Sequence, residues 1–303
     1  MPMEGEAYRL GLDLGGTSVK AVAVAESGTL LERFHETFDL EERLGFARAV
    51  SAAVTRATDT LGSPCGIGLS APGIAALDGG SIASMPGRFE GLEGLDWGRH
   101  LGRTEGVPVL NDAHAALLGE VSFGAARGAR NVVLLTLGTG VGGAAMVDGH
   151  LLRGAVGKAG HLGHVSLDPE GSRDICRTPG SLEDAIGNHN IAVRTGGRFS
   201  TTHALVEAFE AGDPFAASVW LRSVRALAAA IVSFGNVLDP EFVILGGGVA
   251  RSGDSLFRPL RSLLDEWEWR PGGRGLTLVP AELGEWAGAF GAARNSDQRV
   301  SPA

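Results

Sequence analysis

Short apolar runs bounded by glycine dominate the first quarter of this chain, and such runs, rich in β-branched side chains, predict strands. Residues 10–14 and 19–24 fit that pattern and are joined by Gly15-Gly16-Thr17, which predicts a hairpin with polar residues at its bend. A third strand over 29–38 follows the Ser27-Gly28 turn in meander fashion. Apolar residues then fall three and four apart at Leu40, Leu44, Ala47, Val50 and Val54, predicting a helix that stops near Gly62-Ser63-Pro64. Residues 67–69 and 107–110 read as short buried strands. The second runs into Asn111-Asp112, where either side chain can cap a helix over 113–122.

The opening theme then returns. Residues 132–137 are apolar, Gly138-Thr139-Gly140-Val141-Gly142-Gly143 turns, and 144–147 are apolar again, so the pattern predicts a duplicated α/β architecture. A later helix opens with Asp213 as cap and Pro214 at its first position, and lines up Trp220, Val224, Leu227, Ile231, Phe234 and Leu238 on one face. Asp239-Pro240 ends it, and a strand over 242–245 runs into Gly246-Gly247-Gly248. The expected division is a first domain over 1–125, completed by a C-terminal helix at about 287–303, and a second over 126–286.

Composition adds one anomaly: 47 of 303 residues are glycine, about twice the usual share near 7%. With 13 prolines and no Gly-x-y repeat, collagen and wholesale disorder are excluded, so the glycines call for a structural explanation. The net charge of −9, with no basic cluster, argues against a nucleic-acid surface. It leaves an anionic substrate open, because glycine loops bind phosphate through backbone N–H groups. Cys65 and Cys176 are too few for a disulfide framework and suit a reducing cytosol. No leader pattern opens the chain, and the apolar run over 132–147 is broken by Gly138, Thr139, Gly140, Gly142 and Gly143, so neither secretion nor a membrane partner is expected. The expected location is cytoplasmic.

Three glycine turns, each after a β-type run, form the largest chemical signal. A dinucleotide fingerprint would need a helix after the Gly138 turn, where a strand is predicted, and no Lys follows in the manner of a P-loop. What remains is a phosphate clamp built from hairpin turns. Asp13, beside the first turn, either stabilises that turn or holds hydrated Mg²⁺ on a phosphate; Lys20 either faces solvent or reaches the phosphates. Asp112 either caps its helix or accepts a proton from a hydroxyl attacking phosphorus. His161 and His164 offer two imidazoles, and with Asp174 and Cys176 they make a poor zinc set; Glu183 favours a helix N-terminus.

Together these motifs resemble the ROK family of sugar kinases, in the actin-like ATPase and hexokinase superfamily, over about residues 8–293. Leu12-Asp13-Leu14-Gly15-Gly16-Thr17 with Lys20 resembles that family's first phosphate loop, and residues 137–143 its second. Asn111-Asp112-Ala113 with Gly119-Glu120 resembles the segment carrying the catalytic base, residues 243–249 the glycine segment beside the adenosine, and Gly288-Ala289-Phe290-Gly291-Ala292-Ala293 the closing helix. The resemblance implies a two-domain, ribonuclease H-like α/β fold with an active-site cleft between the domains. It implies ATP-dependent phosphorylation of a hexose, most simply glucose to glucose 6-phosphate, with Mg²⁺ held by Asp13 through water. Asp112 becomes the general base, Asn111, His161, His164 and Glu183 the sugar site, and Asp13, Gly15, Gly16, Thr17, Lys20, Gly138, Thr139, Gly140, Gly142, Gly246, Gly247 and Gly248 the nucleotide site. A homodimer is a family-level expectation.

Two departures stand out. The family's Cys-x-Cys-Gly-x-x-Gly-Cys-x-Glu run is here Asp174-Ile175-Cys176-Arg177-Thr178-Pro179-Gly180-Ser181-Leu182-Glu183, so one of three zinc cysteines survives and no structural zinc is expected. His161 replaces a sugar-binding glutamate, and Ser84-Met85-Pro86-Gly87-Arg88 stands where a sugar-binding asparagine precedes Pro-Gly. The acceptor therefore stays open among glucose, fructose, allose and N-acylmannosamine, and the donor between ATP and polyphosphate. A sugar-sensing repressor would need a DNA-binding domain ahead of Asp13, for which there is no room, and a non-catalytic sugar-binding protein is disfavoured by both phosphate loops.

Overall fold

A computed structural model describes residues 6–298 and residue 300. The chain forms two compact units, one of Met1–Gly128, Arg153–Ala159 and Glu282–Ala303, the other of Ala129–Leu152 and Gly160–Ala281.

In the first unit the chain lays down β1 (Tyr8–Leu14), β2 (Ser18–Ala25), β3 (Leu30–Thr37), helix α1 (Gly45–Leu61) and β4 (Gly66–Ala71). A small ribbon of β5 (Ile74–Ala75) and β6 (Ile82–Ser84), one helical turn α2 (Trp97–His100), β7 (Val109–Asn111) and α3 (Asp112–Phe123) follow. The sheet order is β3-β2-β1-β4-β7, with β1, β4 and β7 parallel and the β1-β2-β3 meander antiparallel. The helix expected from Leu40 begins only at Gly45. Residues 39–45 are spent on turns in which Asp39 accepts from Glu41 N–H and Glu42 N–H, and Leu44 sits at φ 57°, so Leu40 stays outside the helix, 49% exposed.

The second unit repeats the plan. It contains β8 (Val132–Leu137), β9 (Val141–Val147), β10 (His150–Leu151), the short helices α4 (Leu182–Ile186) and α5 (Ile191–Arg194), α6 (Thr202–Glu210), α7 (Pro214–Leu238), β11 (Phe242–Gly246), α8 (Asp254–Trp267) and β12 (Thr277–Pro280). Its order, β10-β9-β8-β11-β12, matches the first sheet strand for strand, an antiparallel hairpin followed by parallel neighbours. The duplicated α/β architecture expected from the two glycine hairpins is thus present. Asp213 caps α7 by accepting from Ala216 N–H at 2.8 Å, with Pro214 in the first turn. α7 is long and apolar enough to cross a membrane, but it buries Trp220, Val224, Leu227, Ile231 and Phe234 as the central helix of its unit's core.

The chain then returns to the first unit as α9 (Ala287–Asn295). A Cβ added to Gly291 would overlap Ala115 O and lie 2.6 Å from its carbonyl carbon and 2.9 Å from Gly119 N, so α9 crosses α3 backbone on backbone. On its other side α9 presses on the sheet, where Cβ atoms on Gly11 and Gly68 would overlap the carbonyls of Ala289 and Ala292. Part of the glycine excess is therefore packing rather than turn chemistry: backbones approach this closely only where one of the facing residues carries no side chain. Glu120, fully buried, fastens the return by accepting from Ala125 N–H, Glu282 N–H and Leu283 N–H.

Candidate functional site

In the first unit the chemistry gathers at the carboxyl ends of the parallel strands, where α/β sheets usually bind ligands. Asp13 closes β1 opposite Lys20 of β2 and beside Ser70 of β4, whose hydroxyl donates to its Oδ1 at 2.6 Å. Gly288 of α9 crowds it from a third side, since a Cβ there would lie 2.7 Å from the carboxyl carbon. Burial pushes the Asp13 carboxyl up to about 6; the Asp112 charge pushes the same way, and the Ser70 hydrogen bond and Lys20 oppose it. Two carboxylates in one partly desolvated site suit a divalent cation with its water shell, so the residues fit Mg²⁺. The Lys20 ammonium pairs with Glu285 Oε2 at 2.7 Å. The turn itself closes through Gly15 N–H to Ser18 O at 2.9 Å and leaves Gly16 and Thr17 exposed.

The cap of α3 is Asn111, and Asp112 is the first helical residue. Asn111 Oδ1 accepts from Ala113 N–H and His114 N–H, and its Nδ2 donates to Gly73 O at 2.9 Å, leaving one amide hydrogen for a ligand. Asp112 stands exposed at the helix N-terminus, where its Oδ1 also accepts from Ala113 N–H at 2.8 Å.

The second unit builds its own glycine turn. Gly138, Thr139 and Gly140 bridge β8 and β9, with Gly138 N–H bonded to Gly140 O at 2.9 Å. Gly142, expected in the turn, lies inside β9 opposite Thr136, because the strand already begins at Val141. Glu183, at the start of α4, accepts from Val141 N–H at 2.8 Å and packs against Gly140, bracing the loop. His189 holds its other side through Nδ1 to Thr139 O at 2.9 Å and Nε2 to Asp184 Oδ1 at 3.0 Å. Gly247, at φ 85°, lies so close to the end of β8 that a Cβ would sit 2.7 Å from the Leu137 carbonyl carbon. A cavity of about 760 Å³ runs from Gly138 and Thr139 to Gly248 and Arg251, and the buried Thr202 hydroxyl on its wall has no hydrogen-bond partner among the described residues. That volume and an unsatisfied hydroxyl suit a nucleoside.

His161 precedes and His164 ends a turn of 3₁₀ helix, Leu162–His164, in the same unit. His164 Nδ1 meets Asp174 Oδ2 at 2.8 Å, while Asp174 Oδ1 accepts from Cys176 N–H and Thr178 N–H. Burial works to raise the Asp174 carboxyl, but the bonds from His164, Thr178 and Ser181 outweigh it and hold it below the usual carboxylate range. Ligand atoms of His164, Asp174 and Cys176 do come within 4.8 Å of one another. The set nevertheless does not suit structural zinc, which takes four closed N and S ligands. Here the lone thiol is exposed, the carboxylate already has its full set of donors, and Ser181 Oγ accepts from Asp184 N–H as the α4 cap.

Sequence patterns missed Ser70, His189 and Thr202, since each acts through a partner distant in sequence or through no partner at all. A signal for His189 did exist in the polar Asn188-His189-Asn190 step before an apolar turn.

Paired glycine turns on two matching sheets, with carboxylates at the strand ends of one, are the arrangement expected of a phosphoryl-transfer enzyme of the actin-like α/β class. The ROK family model matches residues 9–298, and the chain belongs to that family. It is 31% identical to a glucokinase of Thermotoga maritima, over 96% of this chain and 98% of that one. Among solved structures it is similar to a ROK hexokinase from Thermus thermophilus, at 32% identity and TM-score 0.82, covering 95% and 97% of the two chains. It is also similar to a ROK family glucokinase from Streptomyces griseus in complex with glucose and AMPPNP, at 27% identity and TM-score 0.75, covering 96% and 99%. The chain is accordingly a sugar kinase.

Proposed function

We propose that this protein transfers the γ-phosphate of ATP to the 6-hydroxyl of glucose. The observation that carries the reading is the α3 N-terminus, where Asn111 takes the cap and leaves the Asp112 carboxylate exposed beside Asp13 and the first glycine turn. Asp112 accepts the proton of the sugar hydroxyl as its oxygen bonds to the γ-phosphorus; the bond from phosphorus to the bridging oxygen breaks, and ADP leaves. Asn111 gives its remaining amide hydrogen to the sugar. The family pattern gives His164 and Glu183 to the sugar as well, and His161 stands in place of its sugar-binding glutamate. His164, with Nδ1 held by Asp174, has its Nε2 left to accept from a hydroxyl.

Backbone amides at Gly15, Gly16 and Thr17 and at Gly138, Thr139 and Gly140 cradle phosphate oxygens, and the cavity beside Gly246, Gly247 and Gly248 takes the nucleoside. Asp13 would hold Mg²⁺, and the bound ion would supply charge neutralisation on the phosphates. ATP as donor is supported by the AMPPNP-bound relative, and glucose by the glucokinases the chain resembles.

The test is a phosphoryl-transfer assay on glucose, fructose, allose and N-acylmannosamine, with ATP or polyphosphate as donor. Glucose with ATP is expected to be used best, and Asp112→Ala to lower kcat by about 10²- to 10⁴-fold. A wild type that phosphorylates no sugar, or an Asp112→Ala enzyme of full activity, would overturn the reading.

A further inference from the structure

In the kinase reading the first glycine turn meets the transferring phosphoryl group, and Lys20, which the sequence offered as a cation there, is engaged with Glu285. A second cation stands at the turn. Arg88 Nη2 would lie 3.2 Å from a Cβ on Gly16, so the guanidinium rests against the backbone of the loop itself. Among the described residues it makes no ion pair, although Glu90 and Glu93 are close in sequence, and its one ring contact is with Phe89, 5.2 Å from the centroid.

Arg88 is exposed, yet its backbone is not free to wander. Phe89 is buried at φ 54°, a conformation rare for a bulky residue and retained only where the surroundings impose it. The surroundings are visible: the Phe89 ring packs edge-on against Phe46 at 5.6 Å and tilted against Phe38 at 6.2 Å. Gly87 and Gly91, both with φ above 80° or close to it, bend the chain on either side, and Glu93 Oε1 ties Met85 N–H at 2.5 Å. The strained anchor thus aims one unpaired arginine at one glycine turn.

We propose that Arg88 is the phosphoryl-binding arginine of this enzyme, donating its guanidinium fork to the oxygens of the group in transfer at Gly16. The assignment rests on the kinase reading above and adds a catalytic residue to it. In the loose transition state charge is spread over those equatorial oxygens and builds on the leaving oxygen, and a planar fork matches them where a point charge does not.

The experiment compares wild type, Arg88→Gln and Arg88→Lys in steady-state kinetics with glucose and ATP, and in calorimetric binding of ADP with aluminium fluoride and glucose, a mimic of the planar phosphoryl group. Arg88→Gln should lose about 10²-fold or more in kcat, in the range seen for donors aimed at transition-state charge, with the KM for glucose within about threefold of wild type. It should also lose the gain in affinity that aluminium fluoride gives to ADP, with an unchanged melting temperature, and Arg88→Lys should recover only part of kcat. A kcat for Arg88→Gln within threefold of wild type, or an effect confined to the glucose KM, overturns the proposal. A wild type inactive on every sugar, whose aluminium fluoride binding still depends on Arg88, would overturn the acceptor reading and leave the arginine's role standing.

Discussion

Glycine-to-alanine exchange in two helices of this protein should change stability in opposite directions. At Gly235, inside α7, a Cβ would meet only Leu276 Cδ2 at 3.7 Å, an ordinary contact. Gly235→Ala therefore gains the helix propensity difference of about 0.8 to 1 kcal/mol with nothing to displace. At Gly291 the same methyl group would overlap Ala115 O and lie 2.6 Å from its carbon, and both obstacles are backbone. To restore van der Waals contact α9 must withdraw from α3 by roughly 1 Å or more. Overpacking of that kind costs about 1 to 3 kcal/mol, and with no flexible side chain to yield, the top of that range applies. Less the propensity gain, Gly291→Ala should destabilise the first unit by about 2 kcal/mol. Differential scanning calorimetry should show the first unit melting roughly 4–8 °C lower in Gly291→Ala, at about 2–4 °C per kcal/mol for units of this size, and the second unit roughly 2–4 °C higher in Gly235→Ala. A Gly291→Ala protein as stable as wild type would refute the backbone contact between α3 and α9.

Asp13 and the zinc-family loop supply two further tests. The Asp13 carboxyl lies at about 6 in the fold against 3.8 for its ordinary value, so folding favours the protonated form; its contribution is greatest below pH 4 and is lost as pH rises through 6. Two pKa units correspond to about 3 kcal/mol, so Asp13→Asn should melt higher than wild type at pH 7–8, with the difference vanishing toward pH 4, while losing Mg²⁺-dependent stabilisation by ATP. Equal melting curves across that range would contradict the buried charge. At the loop of His164, Asp174 and Cys176, elemental analysis should find well under one zinc per chain, and a zinc chelator that spares Mg²⁺ should leave melting temperature and activity unchanged; about one tightly held zinc would refute the account.

Where the chemistry sits at a turn between alternating runs, it was legible in the sequence. The hairpins at Gly15-Gly16 and Gly138-Thr139-Gly140, the Asp213-Pro214 helix start and the carboxylates at 13 and 112 all depend on neighbours within a few residues. What escaped depends on distant partners. Gly11 and Gly68 look like ordinary strand glycines until α9, more than two hundred residues after Gly68, is seen lying on them. Which of Asn111 and Asp112 caps α3 was not decidable from composition, because both can accept from the same amides; the Gly73 carbonyl, which fixes the Asn111 amide, settles it. Leu40 matched the helical spacing by chance, and the Asp39 turn removed it.

The place of α9 in the chain also orders the events of synthesis. The strands bearing Gly11 and Gly68 and the helix bearing Gly119 leave the ribosome early, yet the helix that covers them is made only after the whole of the second unit. The second unit has all its strands by Pro280 and can collapse while the nascent chain is still attached, whereas the first must wait with a bare groove for its last helix. In the cell, then, the half of the molecule translated first is the half that finishes folding last, and chaperones have their longest opportunity to bind there.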